Sequence, residues 1–291
     1  MTKRNCNWMR LAALALCTVL TLALVGCSGG QELSLEQKLQ QATENISKVN
    51  SMEYDMTTTM EMSMADETLA MDMAFHAVVF NDPMKLKMTM DVSSMGESMN
   101  MDMYMLQEGS SYVMYTGSMG QWQKVTMSKA EMEEQLSTSD AQQSIDLYVG
   151  NASNFKEMGH EDVEGVNALK IQGIISGDSL KEIIEGSGML ENLGTDLDDM
   201  GTDLVKKIID GIGDLPVTIW VDEEKLLPLK YELDMTDMAK SMYSVIFEEM
   251  GVSAEEAGLE VNNFFMSMTC RNFDSAEDFE LPEEALSASE A

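Results

Sequence analysis

The chain is poor in several residue types at once. Of its 291 residues two are histidine, four cysteine and four proline, aromatics make up 6%, and 18 Lys and Arg face 51 Asp and Glu, for a formal net charge of −33. The shortage of cations excludes nucleic acid as a partner, because phosphate recognition needs a basic face. A strongly anionic lipid surface would repel the chain as well, and the acid excess serves mainly solubility. Catalysis has little to stand on. The histidines are His76, on a strand face opposite Met73 and Phe75, and His160, in a stretch that reads as a polar loop. Gly-x-Ser-x-Gly, His-Glu-x-x-His, phosphate-loop and paired-cysteine motifs are all missing. The carboxylates are too many for acid–base pairs to be picked out. The expectation is a non-enzymatic protein with no cofactor.

A calcium loop fails on the same grounds. Asp196, Asp198, Asp199 and Asp203, with Gly201, superficially suggest one, but the fifth position counted from Asp196 is Met200 and the twelfth is Lys207. An EF-hand needs an oxygen ligand at the first and a Glu at the second. An acidic, solvated lid over 186–201 is the better reading, and no metal site is expected there.

What the N-terminus does have is an export pattern. Lys3, Arg4 and Arg10 form a basic start, and Leu11 to Val25 is almost unbroken apolar chain, about the length of a secretion signal and short of the roughly 20 residues that span a bilayer. Leu24-Val25-Gly26-Cys27 follows, and it resembles the lipobox of bacterial lipoproteins. The resemblance implies a diacylglycerol thioether on Cys27, cleavage before it, and acylation of the new amino group, with palmitate the expected chain. Residues 1–26 are then a signal peptide and 27–33 a lipidated tether, built on the flexible Ser28-Gly29-Gly30. The membrane is a partner through that lipid, on the extracytoplasmic face of the cell membrane, and each buried methylene contributes about 0.8 kcal/mol. Loss of the signal takes the formal net charge from −33 to −36, since it removes three bases and no acid.

Cysteine usage agrees with export. Cys6 and Cys17 leave with the signal and Cys27 is consumed, so Cys270 stands alone and no internal disulfide forms. Its apolar strand surroundings mark it as a buried structural thiol.

Past the tether, the hydrophobic period changes abruptly. Residues 33–49 read as a helix with Ser34 as N-cap and Leu35, Leu39, Ala42 and Ile46 on one face. From 52 to 127 the period becomes two. Met52, Tyr54, Met56, Met60 and Met62 alternate with Glu53, Asp55, Thr57, Thr59 and Glu61, the pattern of a strand with one apolar and one wet face. Leu69–Val79, Met84–Val92, Met99–Met105, 111–116 and 121–127 repeat it, predicting six antiparallel strands joined by short turns such as Asn81-Asp82-Pro83 and Glu108-Gly109-Ser110. Short helices are expected over Lys129–Leu136 and Ala141–Val149, then a polar loop to Gly165, a strand over Ala168–Ser176, and a helix from an Asp178 cap to Ile184. Leu204–Ile209 is part of another helix. A hairpin over Val217–Val221 and Leu227–Met235, a helix over Met238–Met250 and a strand over Leu259–Phe273 follow. The acidic tail, 284–291, is expected to be loose after Leu281-Pro282. The fold class is α+β, with about ten strands in a large antiparallel sheet.

Val217-Thr218-Ile219-Trp220-Val221-Asp222 running into Leu227-Pro228-Leu229-Lys230-Tyr231-Glu232-Leu233, and the closing Asp278-Phe279-Glu280-Leu281-Pro282-Glu283, resemble the LolA/LppX-like lipoproteins, and most of all their poorly characterised Gram-positive branch. The resemblance is one of layout over residues 34–283. It implies a curved, unclosed sheet, an open half-barrel with helices at its mouth, and in several members a lipid or lipoprotein in the hollow.

Thirty methionines, 28 of them outside the signal, are the strangest feature. Met56, Met60, Met62, Met71, Met73, Met88, Met90, Met101 and Met103 are candidates for a shared wall. Three readings stay open: Met in place of Leu and Val in a plain core; a soft wall that re-packs around varied apolar ligands; or thioether ligation of Cu(I), for which Met-x-Met is a known element. The leading expectation is a monomeric surface lipoprotein that binds or transfers a lipid or other apolar molecule. The alternatives are a surface interaction or sensor module with no small ligand, and a Met-based Cu(I)-binding protein.

Overall fold

In the computed structural model, which describes residues 33–64, 67–132, 150–186 and 199–290, the period-two stretches all become strands. The chain divides after Ser34 into two units, and the second, Leu35–Ala291, carries every element below. Helix α1 (Leu35–Ile46) leads into β1 (Ser51–Met64), β2 (Glu67–Asn81), β3 (Met84–Ser94), β4 (Glu97–Glu108), β5 (Ser111–Ser118) and β6 (Gln121–Ser128). A 3-10 turn at Ala152–Asn154 precedes β7 (Lys156–Val163), β8 (Val166–Ile175), α2 (Gly177–Gly186), α3 (Asp199–Asp210), β9 (Leu215–Asp222) and β10 (Leu227–Asp234). Then come α4 (Thr236–Glu249), β11 (Leu259–Arg271), a 3-10 turn at Glu283–Ser287 and the short β12 (Ser289–Glu290).

The strands form one sheet in the order β12-β6-β5-β4-β3-β2-β1-β11-β10-β9-β8-β7. Only the β12–β6 pairing is parallel. The sheet is open and curved, so the expected α+β half-barrel is the observed fold, with twelve strands where the sequence pattern suggests ten. Strand β11 joins the two meanders. It pairs with β1 on one side (Met56 opposite Met268) and with β10 on the other (Tyr231 opposite Met268).

Helices cover one half of one face. Leu39 and Ala42 of α1 pack among Ile171, Ile175, Val217, Ile219 and Val221, with Leu180 of α2 and Met238 of α4 alongside. Phe155 lies flat over Gly173, where an added Cβ would sit 2.4 Å from the ring. Helix α1 is pinned by charge as well. Lys38, 6% exposed, holds Glu157 of β7 at 2.9 Å and Glu223 of the β9–β10 turn at 2.8 Å. Glu223 in turn meets His160 Nε2 at 2.6 Å. Burial opposes the Lys38 charge, but its hydrogen bonds to Glu223 and Glu157 outweigh that and raise its pKa.

Three expectations are corrected. Residues 156–163, read as loop, are the edge strand β7, and His160 is therefore a strand residue. Both faces of β7 are wet, so it carries no alternating apolar signal, and its charges protect an otherwise open sheet edge. Residues 284–291 are not loose as far as Glu290. Ala285 is fully buried against Tyr104, Val113 and Tyr115 on the outer face, with Phe279, Leu281 and Ala288 beside it, and Ser289–Glu290 add to β6. A few well-spaced apolar side chains dock this strap despite its acids. Helix α2 is capped by Ser176, whose Oγ accepts from Ser179 N at 3.2 Å, rather than by Asp178. The expected helix at 129–136 is helical over 129–132. Its remainder, the 141–149 helix, most of the 186–201 lid, Cys27 and the tether up to residue 32 lie outside the described residues.

Candidate functional site

Strand register brings all nine candidate methionines onto one face. Met56 stands opposite Phe75, Phe75 opposite Met90, and Met90 opposite Met101. Met60 faces Met71, Met88 faces Met103, and Met73 faces Val92. The other side of the same strands carries Glu53, Asp55, His76, Lys87, Thr89 and Asp102, joined by contacts such as His76–Asp55 at 2.7 Å and Thr89–Asp102 at 3.0 Å. Alternation thus sorts most of the methionines onto one side of β1–β4 and most of the charged groups onto the other; Tyr104, in the outer-face cluster with Ala285, and Thr58, opposite Met73, are exceptions.

This face also includes residues that the sequence pattern did not single out. Met266 and Met268 of β11 continue it, since they pair with Thr58 and Met56, and through Leu233 and Tyr231 it runs into the aliphatic core. Phe264, Met266, Met268 and Cys270 do alternate in the sequence, but only the non-local β1–β11 pairing places them here. Cys270 is buried, and burial pushes its thiol up to about 12. It is a structural residue and no nucleophile.

Cover over the face is uneven. Among the described residues the extensive helix–sheet contacts fall on β10 (α1) and β11 (α4), and none on β2, β3 or β4. At the lower end of the meander Ala77 is fully buried, and Met105 and Tyr112 pack with Met132. Exposure then climbs along the strands, to 36% at Met71 and 46% at Met99. Between α4 and the start of β11 lies a cavity of about 540 Å³ lined by Lys240, Tyr243, Ser244, Leu259 and Val261. Leu259 and Val261 pair with Met64 and Met62, so the cavity opens at the edge of the methionine face. Its volume falls within the range of small-molecule sites.

The described residues contain no group of three or more His, Cys, Asp or Glu able to hold a metal ion. Of the candidate calcium-loop acids, Asp196 and Asp198 lie outside them. No helix among the described residues is long and apolar enough to cross a membrane.

Solved structures with a similar layout include the lipoprotein LppX of Mycobacterium tuberculosis, at 10% identity and TM-score 0.41 over 84% of this chain and 98% of that one. LprF of Mycobacterium bovis matches at 14% identity and TM-score 0.43 over 85% and 96%. A DUF1329 protein of Desulfovibrio piger matches at 8% identity and TM-score 0.21 over 82% and 92%. No curated protein matches by sequence. A family model does match, over residues 34–290, and the chain belongs to that family, DUF6612, described as a family of unknown function.

Proposed function

We propose that the protein is a non-enzymatic surface lipoprotein, anchored through Cys27, that binds or transfers a lipid or another apolar molecule on its methionine face. The observation that carries this reading is the uneven cover. A single continuous apolar face is dry and packed by helices over β8–β10, yet half-exposed over β1–β4, with a cavity at the junction. An exposed apolar face of that kind marks a binding surface, and Met, with three rotatable bonds and a polarizable sulfur, suits cargo of varied shape. Native mass spectrometry with solvent extraction of the purified protein tests it. A co-purifying lipid that is lost in a Met73→Glu, Met90→Glu variant is the expected result. A protein that carries no lipid and takes none up from vesicles refutes it. The anchor is tested separately: Cys27→Ser should move the protein from the membrane to the soluble fraction.

A soft cation is the second reading. Met88 opposite Met103 and Met90 opposite Met101 place four thioethers on adjacent positions of one face, within the side-chain reach of directly paired residues. Titration with Cu(I) under a competing chelator decides it. Uptake unchanged by Met→Leu at all four positions dismisses the site.

A further inference from the structure

Two hairpin tips at one end of the sheet are apolar where turn chemistry favours polar residues. The β3–β4 and β5–β6 loops are each two residues long, Met95-Gly96 and Met119-Gly120, with φ of 53° and 81° in the first and 50° and 75° in the second. Positive φ at both central positions is the type I′ turn, which favours Asn or Asp before Gly because they tolerate the left-handed conformation. Here an unbranched apolar side chain holds that position twice. It is also almost fully in water: Met95 is 78% exposed and Met119 88%. The β7–β8 turn has the same backbone, with φ of 54° at Glu164 and 83° at Gly165. It lies at the opposite end of the sheet and carries a carboxylate.

The methionine tips belong to a larger rim. Ser94 pairs with Met71, so Glu67–Ala70 overhang the β3–β4 tip; Ser118 pairs with Met101, so Glu97–Asn100 overhang the next. The three hairpins step back in sequence, and their free ends present Met64, Leu69, Met71, Met95, Met99 and Met119, all at least 36% exposed. From this rim the apolar face runs inward without a break, through Met73 and Phe75 to the fully buried Ala77.

We infer that this rim docks on an electrically neutral, zwitterionic lipid surface, the tip methionines entering the boundary between headgroups and acyl chains. Charge selects the occupant. In sequence, residues 63–71, 92–100 and 116–123 contain Asp66, Glu67 and Glu97 and no Lys or Arg, so an anionic lipid surface gains nothing there. A second copy would bring like rims and a formal charge of −33 on each chain together. Protein-interface anchors are typically Trp, Tyr or Arg in one contiguous patch. This rim has isolated flexible methionines on staggered tips. The inference deepens the apolar-cargo reading and rests on it for its purpose, because the rim is then the ramp between a bilayer and the methionine face.

Site-directed fluorescence on the full chain in phosphatidylcholine vesicles tests it. Cys6, Cys17 and Cys27 are replaced by Ser, and Cys270 stays, buried with its pKa pushed up to about 12. Single cysteines replace Met95, Met119, Glu164 or Leu286 and carry an environment-sensitive dye. Blue-shifted emission at 95 and 119, with quenching by spin-labelled lipid several-fold stronger than at 164 and 286, is the expected result. Equal quenching at all four sites overturns the inference. So does dye burial at the tips without vesicles, which would mark a second copy as the occupant. Met95→Asn should leave the thermal midpoint unchanged or higher, since Asn fits the left-handed turn, while weakening quenching at 119. Quenching that is indifferent to this change also counts against it. Lipid that co-purifies with a protein whose tips stay in water leaves the cargo reading intact and removes only the docking rim. Inserted tips on a protein that carries no lipid do the reverse.

Discussion

The two halves of the apolar face meet the same demand with different side chains. Over β8 and β9 the residues are branched and dry: Ile171 and Val221 are fully buried, and Val217 and Ile175 are 1% exposed. Over β1–β4 they are methionines, and many keep contact with water. Branched side chains have few rotamers and suit a pleated surface whose partner is always the same. Methionine loses more rotamer entropy when fixed, which makes it a poor choice for a permanent core and a good one for a face whose contents change. Among the described residues, α1 lies over the branched half and α4 over β11, where the two halves meet. The cavity beside α4 marks where one regime gives way to the other.

The sharpest test of that contrast is to shorten one side chain in each half. Ile171→Ala should lower stability by about 2–5 kcal/mol in urea unfolding, because a void opens under α1 that packing cannot close. Met99→Ala, with nearly half its surface already wet, should lower it by less than about 1 kcal/mol. Similar losses at both positions would show that the methionine half is as tightly packed as the other.

Next in size is the charge that pins the cover. Lys38→Met keeps the stem and removes the ammonium from Glu157 and Glu223. A loss of about 1–2 kcal/mol is expected, modest because both carboxylates reach water. The cluster also has a pH signature. Hydrogen bonds donated by Lys38 and His160 hold Glu223 below its ordinary 4.5, and although burial opposes it, donation to Glu223 and Glu157 holds Lys38 above its ordinary 10.5. A lowered carboxyl pKa stabilises the fold above 4.5, and that contribution is lost as pH falls through the folded value. A raised amine pKa stabilises below 10.5 and is lost as pH rises past its folded value. The carboxylate's contribution is therefore lost on the acid side, where unfolding midpoints should fall, and Lys38→Met should flatten that acid slope.

How much of this was legible in the sequence follows the same division. Strands with one wet face announced themselves, so β1–β6 and the shared side of the nine methionines were legible from alternation; β9, buried at nearly every position, and β10 were legible as a hairpin around the charged turn Asp222-Glu223-Glu224-Lys225. Strand β7 was invisible because neither of its faces is buried. The strap over Tyr104 and Tyr115 was legible as far as Phe279 and Leu281, in the closing passage of the domain, and hidden beyond, because Ala285 and Ala288 follow no period and sit among acids. The bridging place of β11 between β1 and β10 is a pairing across most of the chain, on which local pattern is silent. The cavity beside α4 depends on where a helix settles, and so was out of reach as well.

The smallest stability effect carries the most information about function. Met88, Met90, Met101 and Met103 form two facing pairs on β3 and β4, all half-buried. Changing all four to Leu conserves volume and apolarity, so each change should alter stability by about 0.5 kcal/mol or less. A plain core would notice nothing more. A wall that adapts to its cargo would, because Leu has fewer rotamers and a fixed branch where Met can bend around a guest. The quadruple variant should therefore fold as well as the parent, yet retain a narrower set of lipids after incubation with a mixed extract, as read by mass spectrometry. An unchanged lipid profile in a variant of unchanged stability would make these methionines ordinary core residues, and the contrast between the two halves would then be one of composition alone.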